Sequence, residues 1–155
     1  YVCETGTVQN PTGLIRYEAT IGEWIGAALT ESHNFNGIDT IVPVPLHPRR
    51  LRTRGYNQSD FIAAGISKAI KVPIINKVLI RSSYTGTQTK LGKFNRWENV
   101  KEIFQLKDPE AIKGKHILLV DDVITTGATL EACANVLLQI PQTKVSVAAM
   151  AYAMN

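Results

Sequence analysis

Asp121 and Asp122 stand side by side at the end of the apolar run Ile117-Leu118-Leu119-Val120, and Thr125-Thr126-Gly127-Ala128-Thr129 follows within a few residues. Ionised carboxylates only accept hydrogen bonds, so an acidic pair suits the vicinal hydroxyls of a sugar. Hydroxyls and backbone N–H groups at the start of a helix suit a phosphate, through unpaired donors and the helix dipole. Gly127 permits the left-handed turn that lets successive N–H groups converge on one anion. Together these residues read as a site for a phosphorylated sugar. Two other readings compete. One is an ordinary strand–loop–helix junction with a Thr cap. The other is a phospho-acceptor site, which would place Mg²⁺-binding carboxylates on separate strand ends and would need no phosphate loop beside them. A nucleotide P-loop is excluded, because the Gly-Lys-Ser/Thr ending is missing.

A second chemistry-bearing stretch covers residues 43–58, Pro-Val-Pro-Leu-His-Pro-Arg-Arg-Leu-Arg-Thr-Arg-Gly-Tyr-Asn-Gln. Arg49, Arg50, Arg52 and Arg54, with Gly55 behind them, form a basic loop suited to multidentate phosphate contacts. A substrate with a phosphate at one end and a pyrophosphate at the other needs two such anion sites. The alternatives are a solvated basic loop and a nucleic-acid patch; the latter has only Tyr56 as an interleaved aromatic. His33, His47 and His116 show no metal-ligand spacing.

The elements that must position these groups follow from periodicity. Residues 11–19 read as a short strand. A helix begins at Ile21, with Thr20 as its cap and Ile21, Trp24, Ile25, Ala28 and Leu29 at helical spacing. Residues 38–44 read as a buried strand stopped by Pro43-Val44-Pro45, and residues 57–70 as a helix burying Ile62, Ile66, Ala69 and Ile70. A strand interrupted near Pro73 is expected within 72–80, and a return strand at 103–106. Strand 116–120 ends at the acids. Helix 127–139 follows, with Leu130, Cys133, Ala134, Leu137 and Leu138 inward, then strand 145–152. Alternating strands and helices imply an α/β fold, a mostly parallel central sheet flanked by helices. Acids and basic loop both fall at carboxyl ends of strands, where such sheets bind ligands. Residues 81–99 form a long polar segment, read either as a lid over the site or as an exposed hairpin.

The chain has 155 residues, 45% of them hydrophobic and 19% charged, with a net charge of +4. That fits one domain, with residues 1–37 as an N-terminal extension and 38–155 as the core. The modest basic excess fits either nucleic acid or a polyanionic small substrate. No apolar run approaches membrane-spanning length. Cys3 and Cys133 make neither a disulfide framework nor a zinc site, and a reducing cytoplasm is the expected compartment.

The acids and the Thr/Gly loop resemble the phosphoribosyl-pyrophosphate (PRPP) signature of the type I phosphoribosyltransferases. Pro-Val-Pro-Leu-His followed by the arginines and Gly-Tyr-Asn-Gln resembles, more narrowly, their ComF/GntX branch of late-competence, amidophosphoribosyltransferase-like proteins. Arg81, Gln88, Leu91, Arg96, Asn99 and Phe104 fall in that branch's order. The resemblance implies that Asp121 and Asp122 hold the ribose hydroxyls. It implies that Val123, Ile124, Thr125, Thr126, Gly127, Ala128 and Thr129 cradle the 5-phosphate, and that Arg49, Arg50, Arg52, Arg54 and Gly55 take the pyrophosphate. Arg81, Gln88, Lys90, Arg96 and Asn99 would belong to a flexible hood. Mg²⁺ would arrive with the substrate and need no protein cage, and the acceptor would be a nitrogen nucleophile. A non-catalytic PRPP or nucleotide sensor in DNA uptake is the alternative, with homodimerisation and nucleic-acid contact left open. The chain departs from the branch in showing no four-cysteine zinc ribbon and in having Thr30-Glu31-Ser32-His33 where a lysine-rich helix end is common.

Overall fold

The computed structural model describes residues 11–81 and 104–153, without the side chains of 11–16 and 34. The first element is a single helix, α1 (Pro11–Glu31), where the sequence pattern divides the stretch into a strand and a later helix. Proline is at home at a helix start, where its missing N–H is not needed. The decisive contact is remote: α1 lies against α3 (Gln58–Ile70) through Gly22, Gly26 and Gly65. A Cβ on Gly22 would meet the Ile62 carbonyl oxygen at 2.2 Å, and one on Gly65 the Ala19 carbonyl oxygen at 2.0 Å. Such backbone contact fixes which face of α1 is inward. Glu18, Gly22 and Gly26 are buried, while Trp24 is 69% exposed, so the tryptophan leaves the expected inward stripe.

The central sheet has the order β1 (Thr40–Pro43), β4 (His116–Ile124), β5 (Lys144–Tyr152), all parallel. Val42 pairs with Leu119, and Val120 with Ala148. Pairing is what extends β4 beyond Val120, where the sequence pattern ends it: Val123 and Ile124 still pair with Ala151 and Tyr152. The stretch 72–80 supplies only an isolated parallel bridge, Ile74 to Ile41, before β2 (Leu79–Arg81). The left-handed Lys77, φ 68°, turns the chain between them. β2 pairs antiparallel with β3 (Phe104–Leu106); residue 103 of the expected return strand lies outside the described residues.

Alternation along β4 sends successive side chains to opposite faces. Ile117 and Leu119 join Cys133 and Leu137 of α4 (Ala128–Leu137) on one face. Leu118 and Val120 join Ile62 and Ile66 of α3 on the other. α4 is shorter than expected. Leu138 is its C-cap and is 52% exposed, while Ala132 and Val136 are buried instead. No helix among the described residues is long and apolar enough to cross a membrane.

Candidate functional site

Asp121 and Asp122 lie inside the last third of β4, so the same alternation separates them. Asp121 falls on the α4 face and is 9% exposed. Its Oδ1 accepts from Ser59 Oγ at 3.2 Å and from the Asp122 N–H at 2.9 Å. Burial pushes its carboxyl up to about 6, the nearby Asp122 charge adds to the rise, and the Asp122 N–H and Ser59 oppose it. Asp122 is half-buried on the other face, towards α1 and α3, and its Oδ1 accepts the Val123 N–H at 2.8 Å.

The chain then turns. Gly127, at φ 77°, is the N-cap of α4, and its carbonyl accepts the Glu131 N–H at 2.9 Å. The Ala128 N–H points at Thr126 Oγ1, 3.4 Å away. No hydrogen bond among the described residues uses the N–H of Thr125, Thr126, Gly127 or Thr129. These are the donors that a helix start leaves orphaned. Thr125, Gly127 and Thr129 line a small cleft, open to solvent, together with Asp121, Val123, Ile124, Ala128 and Leu130. The structure thus gathers Asp121 and most of the loop around one space. Asp122 and Thr126 stand beside that space without lining it.

The basic stretch is not a loop. Residues Pro48–Arg54 form a short helix, α2, leaving the carboxyl end of β1. His47 caps it, its Nδ1 accepting the Arg49 N–H at 3.1 Å, and Gly55, at φ 84°, closes it with an N–H to the Leu51 carbonyl. Proline at the first helical position and a side-chain cap make a turn of helix where basic composition alone reads as loop. Arg49, Arg50, Arg52 and Arg54 are all exposed at the sheet edge that carries the acids. Val44, just past the end of β1, still donates its N–H to the Val120 carbonyl at 2.8 Å, which keeps the two strand ends together. Arg54 is held by a hydrogen bond to Gln58 Oε1.

Arg81 ends β2 with its guanidinium 5.2 Å from the Phe104 ring centroid. Gln88, Lys90, Arg96 and Asn99 of the expected hood lie outside the described residues. His47 is accounted for by its cap; His116 contacts Ser146 Oγ at 2.9 Å and donates its N–H to Asp39. Cys133 is buried beneath Asp121, and burial pushes its thiol up to about 12.

Sequence reasoning does not single out Ser59 or Glu18. Ser59 follows Gly-Tyr-Asn-Gln in the first turn of a helix that leaves the same sheet edge, and that position is its one local signal. Glu18, 4% exposed in α1, interacts with Gln58, Arg54 and Asp122.

The family model described as phosphoribosyl transferase domain matches residues 52–154. Competence protein F of Haemophilus influenzae is 33% identical over 123 residues, covering 79% of this chain and 54% of that protein. DNA utilization protein YhgH of Escherichia coli K12 is 39% identical over 101 residues, covering 65% of this chain and 44% of that protein. The chain therefore spans about half the length of these curated relatives. Among solved structures, the allosteric regulatory enzyme of purine biosynthesis superposes with TM-score 0.58 at 22% identity, covering 85% of this chain and 26% of that one. Adenine phosphoribosyltransferase from Saccharomyces cerevisiae superposes with TM-score 0.53 at 15% identity, covering 94% and 71%. The fold is that of the type I phosphoribosyltransferases.

Proposed function

The chain belongs to the phosphoribosyl transferase domain family, and from that premise we propose that it binds PRPP with Mg²⁺ and transfers the 5-phosphoribosyl group to a nitrogen nucleophile, releasing pyrophosphate. The observation that carries this reading is the set of uncommitted N–H groups at Thr125, Gly127 and Thr129, residues that line one cleft with Asp121. Converging amides at a helix start suit a terminal phosphate, and a fixed carboxylate one residue row away suits the ribose attached to it.

In this reading Val123 to Thr129 hold the 5-phosphate, and Asp121 and Asp122 take the ribose hydroxyls. The arginines of α2, with Gly55 closing that helix, hold the pyrophosphate. Breaking the C1–O bond leaves positive charge on the ribose and negative charge on the departing pyrophosphate. The chain's contribution is to fix both phosphate ends, balance the leaving charge with Arg49, Arg50, Arg52 and Arg54, and exclude water. No protein nucleophile is needed. Asp121 and Asp122 present oxygen donors of the kind a hard cation takes through water. When bound, Mg²⁺ would neutralise charge on the substrate phosphates. In this reading the ion arrives with the substrate phosphates rather than in a protein cage. Arg81 would belong to the proposed hood together with Gln88, Lys90, Arg96 and Asn99.

A second reading, a non-catalytic PRPP or nucleotide sensor in DNA uptake, draws on the names of the relatives, which are competence and DNA utilization proteins. Calorimetric titration with PRPP and Mg²⁺, followed by a pyrophosphate-release screen over ammonia, amines and nucleobases, separates the two. Binding with release supports the transferase. Binding without release under any acceptor supports the sensor, and absence of binding contradicts both.

A further inference from the structure

Glu18 is an expensive residue where it stands. It is 4% exposed, and its Oε2 has no hydrogen-bond partner among the described residues. Leaving a buried polar atom unpaired is costly, and an apolar side chain of similar size would avoid that cost. A purely structural contact between α1 and α3 does not call for a carboxylate, since the glycines already pack the two helices backbone to backbone. What the carboxylate does contact is informative. The Gln58 side-chain amide donates to it, and the Arg54 charge also favours its ionised form. The same amide's Oε1 accepts from Arg54 Nη1. A chain therefore runs from Glu18 in α1, through Gln58 at the start of α3, to Arg54 at the end of α2.

The polarity of this chain has a consequence. A side-chain amide has one acceptor end and one donor end. With Glu18 as an obligate acceptor, the NH₂ of Gln58 must turn inward, so its oxygen turns outward to Arg54. The buried charge thereby selects one arrangement of an exposed, rotamer-rich arginine. Ordering that side chain in advance reduces the entropy lost when it meets a ligand. Glu18 also feels the charge of Asp122, so Arg54 is fixed on the same side of the strand end as the second acid.

We propose that Glu18 and Gln58 are positioning residues that hold Arg54 for the pyrophosphate end of the substrate; this rests on the site reading above. Neither residue need touch the ligand. The role differs from simple packing, because the effect of Glu18 should vanish when Arg54 is absent.

The test is a double-mutant cycle, read by calorimetry with inorganic pyrophosphate plus Mg²⁺ and, separately, with ribose 5-phosphate. Glu18→Leu should weaken pyrophosphate binding roughly tenfold in the otherwise native protein. In an Arg54→Ala background the same change should alter it by less than about twofold. Ribose 5-phosphate affinity should hold throughout. Gln58→Ala should reproduce Glu18→Leu, and it keeps the test available should Glu18→Leu fail to fold. Glu18→Gln, which still offers an acceptor oxygen, should keep most of the pyrophosphate affinity. Unchanged pyrophosphate affinity in both Glu18→Leu and Gln58→Ala, or an equal loss with and without Arg54, overturns the proposal while ribose 5-phosphate binding leaves the site reading standing. A native protein that binds neither probe overturns the site reading itself, and this inference with it.

Discussion

Ser59 Oγ lies 3.2 Å from Asp121 Oδ1, so the first turn of α3 reaches across to the acid that lines the cleft. The bond commits Oδ1, together with the Asp122 N–H at 2.9 Å, and leaves the second oxygen of Asp121 available to a ligand. Ser59 also favours the charged carboxylate against the burial that disfavours it. Ser59→Ala should therefore raise the Asp121 carboxyl further. Ribose 5-phosphate affinity at pH 7 should fall roughly threefold to tenfold, as expected for losing a hydrogen bond to a charged group. The loss should shrink as pH is raised and the acid ionises fully. Titrations across pH 5.5–8.5 check this.

Asp121 should also set a pH dependence of stability. Its ordinary carboxyl value is about 3.9, and in the fold it stands near 6, so the native state holds the proton more tightly than the unfolded chain does. The stability this represents is fully present below about pH 4 and is lost as pH rises through about 6. The loss accumulated by neutral pH is on the order of 2–3 kcal/mol. Asp121→Asn removes the titration and keeps an acceptor for Ser59. It should raise unfolding free energy at pH 7.5 by about 1–3 kcal/mol while abolishing ribose 5-phosphate binding. Urea unfolding at pH 5 and pH 7.5 gives the comparison.

Gly127 and Gly114 make a matched pair. Both have positive φ, 77° and 70°, and a Cβ on Gly127 would meet nothing within 4 Å. The cost of alanine at Gly127 is therefore conformational, about 1–2 kcal/mol. The same loss is expected at Gly114, where the nearest atom, Gln142 Oε1, is 4.0 Å away. Only Gly127→Ala should also weaken ribose 5-phosphate binding, because only that turn lines the cleft beside Asp121. Equal affinities in the two variants would detach the turn from ligand binding.

Gly22→Ala tests the seam between α1 and α3. The new Cβ would stand 2.2 Å from the Ile62 carbonyl oxygen, and backbone cannot step aside as a flexible side chain can. A loss of about 3 kcal/mol or more is expected in urea unfolding. A loss below about 1 kcal/mol would mean the helices separate readily.

The parts of this molecule legible in its sequence are those whose cause is local. Ile117 to Val120 is too apolar to be anything but buried strand, and Gly127 between threonines and a helical stripe marks the turn by itself. The rest depends on partners far along the chain. β4 continues through Asp121 and Asp122 because β5 pairs with it out to Tyr152, a fact absent from the local pattern. That extension puts the acids on opposite faces of the strand. Residues 11–19 look strand-like in isolation, yet they continue the helix that packs on α3 through Gly22 and Gly26. Ser59 and Glu18 matter through residues they meet only in space, 62 positions away in the first case. α2 was hidden for a different reason: four arginines masked the proline start and histidine cap that make it a helix.

The central claim is that one site grips a ribose and its terminal phosphate. The most direct measurement is calorimetric titration of PRPP with Mg²⁺ into the native protein and into the double variant Asp121→Asn with Asp122→Asn, with unfolding curves for both. The account predicts saturable binding to the native protein and at least roughly a hundredfold loss in the double variant, whose cooperative unfolding persists. Equal PRPP affinity in the two proteins would contradict it.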